Sequence, residues 1–231
     1  DCVMVFTASA QFAHLGASHI SSRLGFPYPT MENVHKCLDK TAFYPLFQEN
    51  GIPIPNTHYV KNPDELLDAL HKYSSETDFY LKSDFSKNPN HIYTGVAESL
   101  MGQEIQWVPD RYFQQHYVLQ KTYVGEGLRL NLYPNCYELF EFESGKAINI
   151  ENWPQFEDLK IFESLRGLSI KLGMQDWLLK FDILIGQDRY VVLDIGMDPP
   201  YRMKKHWEES NKNFVDFYVD LYLRAGQIKS A

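Results

Sequence analysis

Phe181-Asp182-Ile183-Leu184-Ile185 and Tyr190-Val191-Val192-Leu193-Asp194-Ile195 are two apolar runs, each broken by one aspartate and joined by Gly186-Gln187-Asp188-Arg189. Composition and spacing predict a β-hairpin. A turn symmetric about Asp188 sets Asp182 opposite Asp194. Because strand side chains alternate faces, that register also gathers Phe181, Ile183, Ile185, Val191, Leu193 and Ile195 into one apolar wall. A two-residue turn would slip one strand and carry Val191, Leu193 and Ile195 away from the wall, so the symmetric register is the expectation. Two carboxylates directly opposite lie ~4.5–5.5 Å apart at Cβ and destabilise a sheet unless something positive sits between them. A divalent ion would serve, and Mg2+ in particular favours a few carboxylates supplemented by phosphate oxygens and water. Asp198, just beyond the strand, could add a third ligand. The competing reading is that both aspartates face solvent or pair with Lys180 or Arg202.

Outward from the hairpin, the apolar pattern alternates between the two periods. Ile161, Phe162, Leu165, Leu168 and Leu172 mark a helix over residues 156–172 with Gly173 as its C-terminal cap, and Phe214, Phe217, Tyr218 and Leu221 mark another over 208–223. Residues 128–132, 136–142 and 147–150 read as an antiparallel meander. Upstream, a helical pattern runs from Met31 past Leu46 to Gly51, residues 57–60 form a strand, and Asn62-Pro63-Asp64-Glu65 opens a helix. Strands are expected at 79–82, 91–96 and 117–120, with a short helix after Glu98. Val3 to Phe6 reads as a strand and Ala8 to Leu24 as partly helical. Strands and helices mix without the steady alternation of a doubly wound sheet, which gives an α+β fold in two lobes. The boundaries expected are 1–30 for the remnant of an upstream domain, 31–118 for the first lobe and 119–231 for the second. Asp1 followed at once by a strand suggests missing upstream sequence.

Composition narrows the partners. The chain has 231 residues, 44% of them apolar, and a formal charge of -8, so nucleic acid and anionic lipid are not expected to bind. Any phosphate site must be built locally. No apolar run reaches the ~20 residues that span a bilayer. Cys2, Cys37 and Cys136 are odd in number and unrelated in spacing, which argues against a disulfide framework or zinc knuckle and fits a reducing cytoplasm.

Lys40, Lys82 and Lys121 stand at or near element ends, where a lysine can hold a phosphate as a point charge. The loop from Ser83 to Asn88, including Ser86, offers hydroxyls, backbone N–H groups and Lys87, yet has no glycine and is not a P-loop. Each lysine alone could equally be a solvated surface residue. His58, His91, His116 and His206 are assigned no role.

Taken in order, these pieces resemble the ATP-grasp superfamily from about Leu24 onward: Leu24-Gly25-Phe26-Pro27, Asp39-Lys40, Gly51-Ile52-Pro53-Ile54-Pro55, Tyr80-Leu81-Lys82, Leu119-Gln120-Lys121-Thr122-Tyr123-Val124-Gly125, Leu128-Arg129-Leu130, and the aspartate hairpin. The resemblance implies an ATP-grasp fold with the nucleotide between two lobes. It implies that Lys40, Lys82 and Lys121 contact phosphate, that Gln120, Lys121, Thr122 and Tyr123 form the adenine-holding hinge, and that Glu126 meets ribose. It further implies that Arg129, with Arg202, steadies the transferring phosphoryl group or the substrate carboxylate, and that Asp182, Asp194 and Asp198 hold Mg2+. The activity implied is ATP-dependent ligation of a small-molecule carboxylate to an amine, forming ADP, with a homodimer compatible. Carboxylation, carbamoyl phosphate synthesis, or nucleotide binding without turnover are the alternatives. Gly196 stands where the family carries a metal-binding asparagine, so Asp198 replaces it or the second Mg2+ site is weakened.

Overall fold

The computed structural model describes residues 11–83, 92–105, 107, 116–134, 136–149, 156, 159–197 and 216. They fall into two compact units, one spanning Asp39–Val124 and the other combining Asp1–Leu38 with Gly125–Ala231. This division groups residues 119–124 with the first unit and residues 31–38 with the second, whereas the sequence reading put the boundaries near 30 and 118. Strand 3–6, loop residues 84–91 and, apart from the helical Asp216, helix 208–223 lie outside the described residues, as do Ser86, Asp198 and Arg202.

The unit from Asp39 to Val124 holds α3 (Lys40–Glu49), β1 (Thr57–Val60), α4 (Pro63–Leu70), β2 (Asp78–Ser83), β3 (Ile92–Val96), α5 (Ala97–Met101) and β4 (Tyr117–Lys121). Its antiparallel sheet has the order β1-β4-β2-β3. Asn62 opens α4 by accepting from the Glu65 amide at 2.9 Å, while the Glu65 carboxylate accepts from the Lys61 amide at 2.9 Å. This reciprocal arrangement satisfies donors that a helix start leaves over. Phe79, Leu81, Tyr117 and Leu119 turn toward Leu66, Leu70, Ala97 and Leu100, so α4 and α5 cover one face of the sheet. The helical run foreseen from Met31 to about Leu46 is two helices. Asp39 interrupts it with extended backbone and caps α3 by accepting from the Thr41 amide at 2.8 Å.

The other unit holds α1 (Gln11–Leu24), α2 (Met31–Leu38), β5 (Glu126–Leu132), β6 (Tyr137–Glu141), α6 (Ile161–Lys171), β7 (Leu179–Ile185) and β8 (Tyr190–Gly196). The sheet order is β6-β5-β7-β8, antiparallel throughout. Of the strand expected over 147–150, the described residues 147–149 contribute one bridge, Phe140 to Ala147. α6 ends as expected: Gly173, at φ 64°, donates to Ile170 at 2.9 Å and Met174 to Ser169 at 2.8 Å, a Schellman motif.

The hairpin keeps Asp182 opposite Asp194 but reaches that register differently. Ile185 pairs with Tyr190 and Gly186 donates to Arg189 at 2.8 Å, so the turn at Gln187-Asp188 is the two-residue one that the sequence reading rejected. An irregularity between Asp182 and Ile183 on β7, where Leu193 is the extra residue on β8, then restores the register. As a result Val192, not Leu193, faces Ile183, and Val191 joins Leu184 on the opposite face. The wall is Phe181, Ile183, Ile185, Val192 and Ile195, each no more than 3% exposed. Burying such side chains contributes roughly 1.5–3 kcal/mol apiece, while one disrupted ladder bond costs about 1 kcal/mol. The short turn is therefore compatible with the wall once the bulge is present.

Candidate functional site

Strand alternation sends Arg129, Asp182 and Asp194 to the face of the second sheet opposite the wall. They form one row across three strands: Arg129 pairs with Asp182, and Asp182 with Asp194. The Arg129 guanidinium grips Asp182 in a fork, Nε to Oδ1 at 2.7 Å and Nη2 to Oδ2 at 3.1 Å. Both side chains are mostly buried, at 15% and 10% exposure. On its other side the guanidinium lies 4.9 Å from the Phe142 ring centre, within cation–π range. Gly127 permits this: a Cβ there would sit 3.0 Å from the Phe142 Cβ. In the next row Lys180, buried at 7% exposure, pairs with Asn131 on one side and Gly196 on the other.

The hairpin carboxylates are hard oxygen donors on adjacent strands and fit one Mg2+ shared with phosphate oxygens. Arg129, on β5, supplies positive charge against Asp182, where the sequence reading placed a metal. The fork engages one position on each Asp182 oxygen and leaves further acceptor capacity. Among the described residues no group of three or more His, Cys, Asp or Glu could hold a metal ion.

In the first unit, Lys82 projects from the sheet face opposite Phe79 and Leu81, the face that α3 partly covers. Its Nζ lies 5.7 Å from the Tyr44 ring centre. Tyr44 donates to Gln120 Oε1 at 3.2 Å, and Gln120 Nε2 donates to Thr57 Oγ1 at 3.0 Å. The Gln120 side chain, 3% exposed, is thereby held within the unit. Lys40 opens α3 and is buried at 5% exposure. A cation there opposes the helix dipole, an arrangement without an obvious stabilising role. Lys121 pairs with Phe79 and so belongs to the opposite pleat from Lys82, exposed at the strand end. The amides of Lys121 and Thr122 donate to Asn56 at 3.1 Å and Asp78 at 2.9 Å. Tyr123 is half-buried and Glu126 exposed at the start of β5.

His58 is held by the Tyr73 hydroxyl at 2.6 Å, and burial, helped by Lys72, draws its pKa down, which marks a structural histidine. Sequence reasoning passed over Tyr44, Thr57 and Phe142. The signal for Phe142 was there in Gly127, a strand glycine that often marks close approach of another group.

No protein-family model matches the chain, and no curated protein does. Solved structures do. D-alanine–D-alanine ligase from Bacillus anthracis superposes with a TM-score of 0.66 at 14% identity, over 92% of this chain and 77% of that one. The RimK domain ATP-grasp protein from Sphaerobacter thermophilus gives 0.65 at 14%, over 90% and 77%. The L-amino acid ligase from Bacillus licheniformis gives 0.66 at 14%, over 89% of this chain but 51% of its own length. The fold is the ATP-grasp fold. No helix among the described residues is long and apolar enough to cross a membrane.

Proposed function

We propose that this chain binds Mg-ATP and uses it to activate a carboxylate as an acyl phosphate for attack by an amine, with release of ADP, in the cytoplasm. The observation that carries the reading is the row Arg129, Asp182 and Asp194 on the face of an ATP-grasp sheet opposite its apolar wall. Asp182 and Asp194 would hold Mg2+, which when bound neutralises charge on the nucleotide's phosphate oxygens. Lys82 and Lys40 steady the phosphates as point charges. The hinge from Gln120 to Tyr123 positions the base, and Glu126 the ribose. Arg129 stabilises charge on the phosphoryl group or grips the substrate carboxylate. Among solved structures of this fold, one is an ATP complex of the B. anthracis ligase and another an ATP-grasp ligase, PsnB, with Mg, ADP and a minimal precursor, which supports both the nucleotide and the ligase class.

The test is ADP release over a panel of carboxylates and amines, with Asp194→Asn and Lys82→Ala as comparisons. Loss of at least about tenfold in both variants is expected, since each removes a charge from the phosphate site; unchanged turnover in both would sink the site. A second reading, nucleotide binding without turnover, is favoured by the grip of Arg129 on Asp182. Tight ATP binding with no ADP formed from any pair in the panel would support it.

A further inference from the structure

Two cations, Arg129 and Lys180, lie on the same face as the Asp182–Asp194 pair. Asp182 and Asp194 supply two negative charges in one row. Arg129 lies in that row, and Lys180 projects from the same face of β7, two residues from Asp182 and roughly 7 Å along the strand. A third carboxylate on this face, Glu138, lies on β6 and accepts from the Tyr133 hydroxyl at 2.8 Å. Three inter-strand spacings separate it from β8, roughly 14 Å, too far to share an ion with Asp194. Opposite Lys180, where another donor would extend the carboxylate pair along β8, stands Gly196, with no side chain.

We infer that Arg129 takes the place of one of the two divalent cations that a phosphoryl-transfer site can use, so that the chain holds nucleotide with at most one metal ion. Two observations and one argument from charge support this. The fork places a fixed cation on both Asp182 oxygens, at 2.7 and 3.1 Å, and occupies one acceptor position on each. Phe142, 4.9 Å from the guanidinium, braces Arg129 on the side away from the carboxylate. A second Mg2+ entering beside Asp182 would meet a fixed positive charge within a few ångströms, a repulsion worth on the order of several kcal/mol even at an effective dielectric of 20. Asp194, with the acceptor capacity that Asp182 retains, would hold the one metal ion, and Arg129 and Lys180 carry positive charge on the same face. The inference rests on the nucleotide-binding reading for its consequence, although the effect of Arg129 on metal binding can be measured without nucleotide.

Mn2+ serves as the probe, followed by its electron paramagnetic resonance signal on the full chain. Without nucleotide, Arg129→Gln is expected to bind Mn2+ at least about tenfold more tightly than wild type. Arg129→Lys, which keeps the charge and loses the fork, is expected to fall between them. Circular dichroism establishes that each variant is folded; should the Gln variant not fold, the Lys variant carries the comparison. With a non-hydrolysable ATP analogue, wild type is expected to bind one Mn2+ per nucleotide and to keep measurable affinity for the analogue in EDTA. Two Mn2+ ions per nucleotide in wild type, or Mn2+ affinity unchanged or lowered in the folded variants, would overturn the inference. If folded wild type binds no analogue under any condition, the nucleotide reading fails, and the metal-only titration still decides the role of Arg129.

Discussion

Cys37 and Cys136 have opposite surroundings. Cys37 is fully buried in α2, and burial pushes its thiol up to about 12, opposed only weakly by Lys36. Cys136 is exposed. Iodoacetamide attacks the thiolate, so at pH 8 the native chain should be alkylated at Cys136 and spared at Cys37, as read by peptide mass spectrometry. Labelling of Cys37 at a comparable rate would mean that α2 opens. The sign for stability follows from the same shift. The folded value lies above the ordinary 9.0, so the contribution is fully present below pH 9 and is lost as pH rises toward 12. The residue scale also shows why the Arg129–Asp182 contact was not legible. Leu128-Arg129-Leu130 indicates that Arg129 faces away from the wall. Which residue it meets depends on β5 pairing with β7, two strands with α6 between them in the chain, and no local pattern encodes that.

At the scale of elements, α6 allows two substitutions with opposite signs. Gly173 follows the helix at φ 64°, and a Cβ there would come within 2.9 Å of Asn33 Nδ2, a side-chain tip that can move. Gly173→Ala is therefore costly mainly through its backbone, about 1–2 kcal/mol. Gly167 lies inside the helix with nothing within 4 Å of its would-be Cβ, and Gly167→Ala should stabilise by up to about 1 kcal/mol. Thermal unfolding should shift down for the first and up for the second, by about 2–4 °C per kcal/mol. Shifts of the same sign would contradict the assigned helix end. The hairpin supports a second prediction. Deleting Leu193 removes the bulge yet leaves Val192 opposite Ile183 and Asp194 opposite Asp182, so the variant should fold and keep nucleotide affinity within about threefold. Aggregation or lost binding would show that the bulge itself aims Asp194. Most elements were legible because their apolar residues recur at period 2 or 3.6. The bulge was not, since it corrects a mismatch between turn length and wall that alternation alone reads as a longer turn. The helix break at Asp39 was masked by apolar residues on both sides.

For the whole molecule, the prediction concerns the nucleotide. If Mg-ATP binds the folded chain, a hundredfold excess over Kd stabilises it by about 2.7 kcal/mol, which should raise the melting temperature by roughly 5–10 °C. No shift at millimolar Mg-ATP would remove the basis of the proposed function. The fold class was readable across the chain. The division into units was less so, because residues up to Leu38 group with those from Gly125 onward, and such a discontinuous unit has no boundary signal in composition. One packing feature also gives each unit its own optical signature. Trp107 lies 5.1 Å from Tyr117 in one, and Trp177, 2% exposed, lies 5.1 Å from Tyr28 in the other. With Trp153 and Trp207 replaced by Phe, either indole could be kept alone, and its fluorescence would report the melting of its own unit separately from the other.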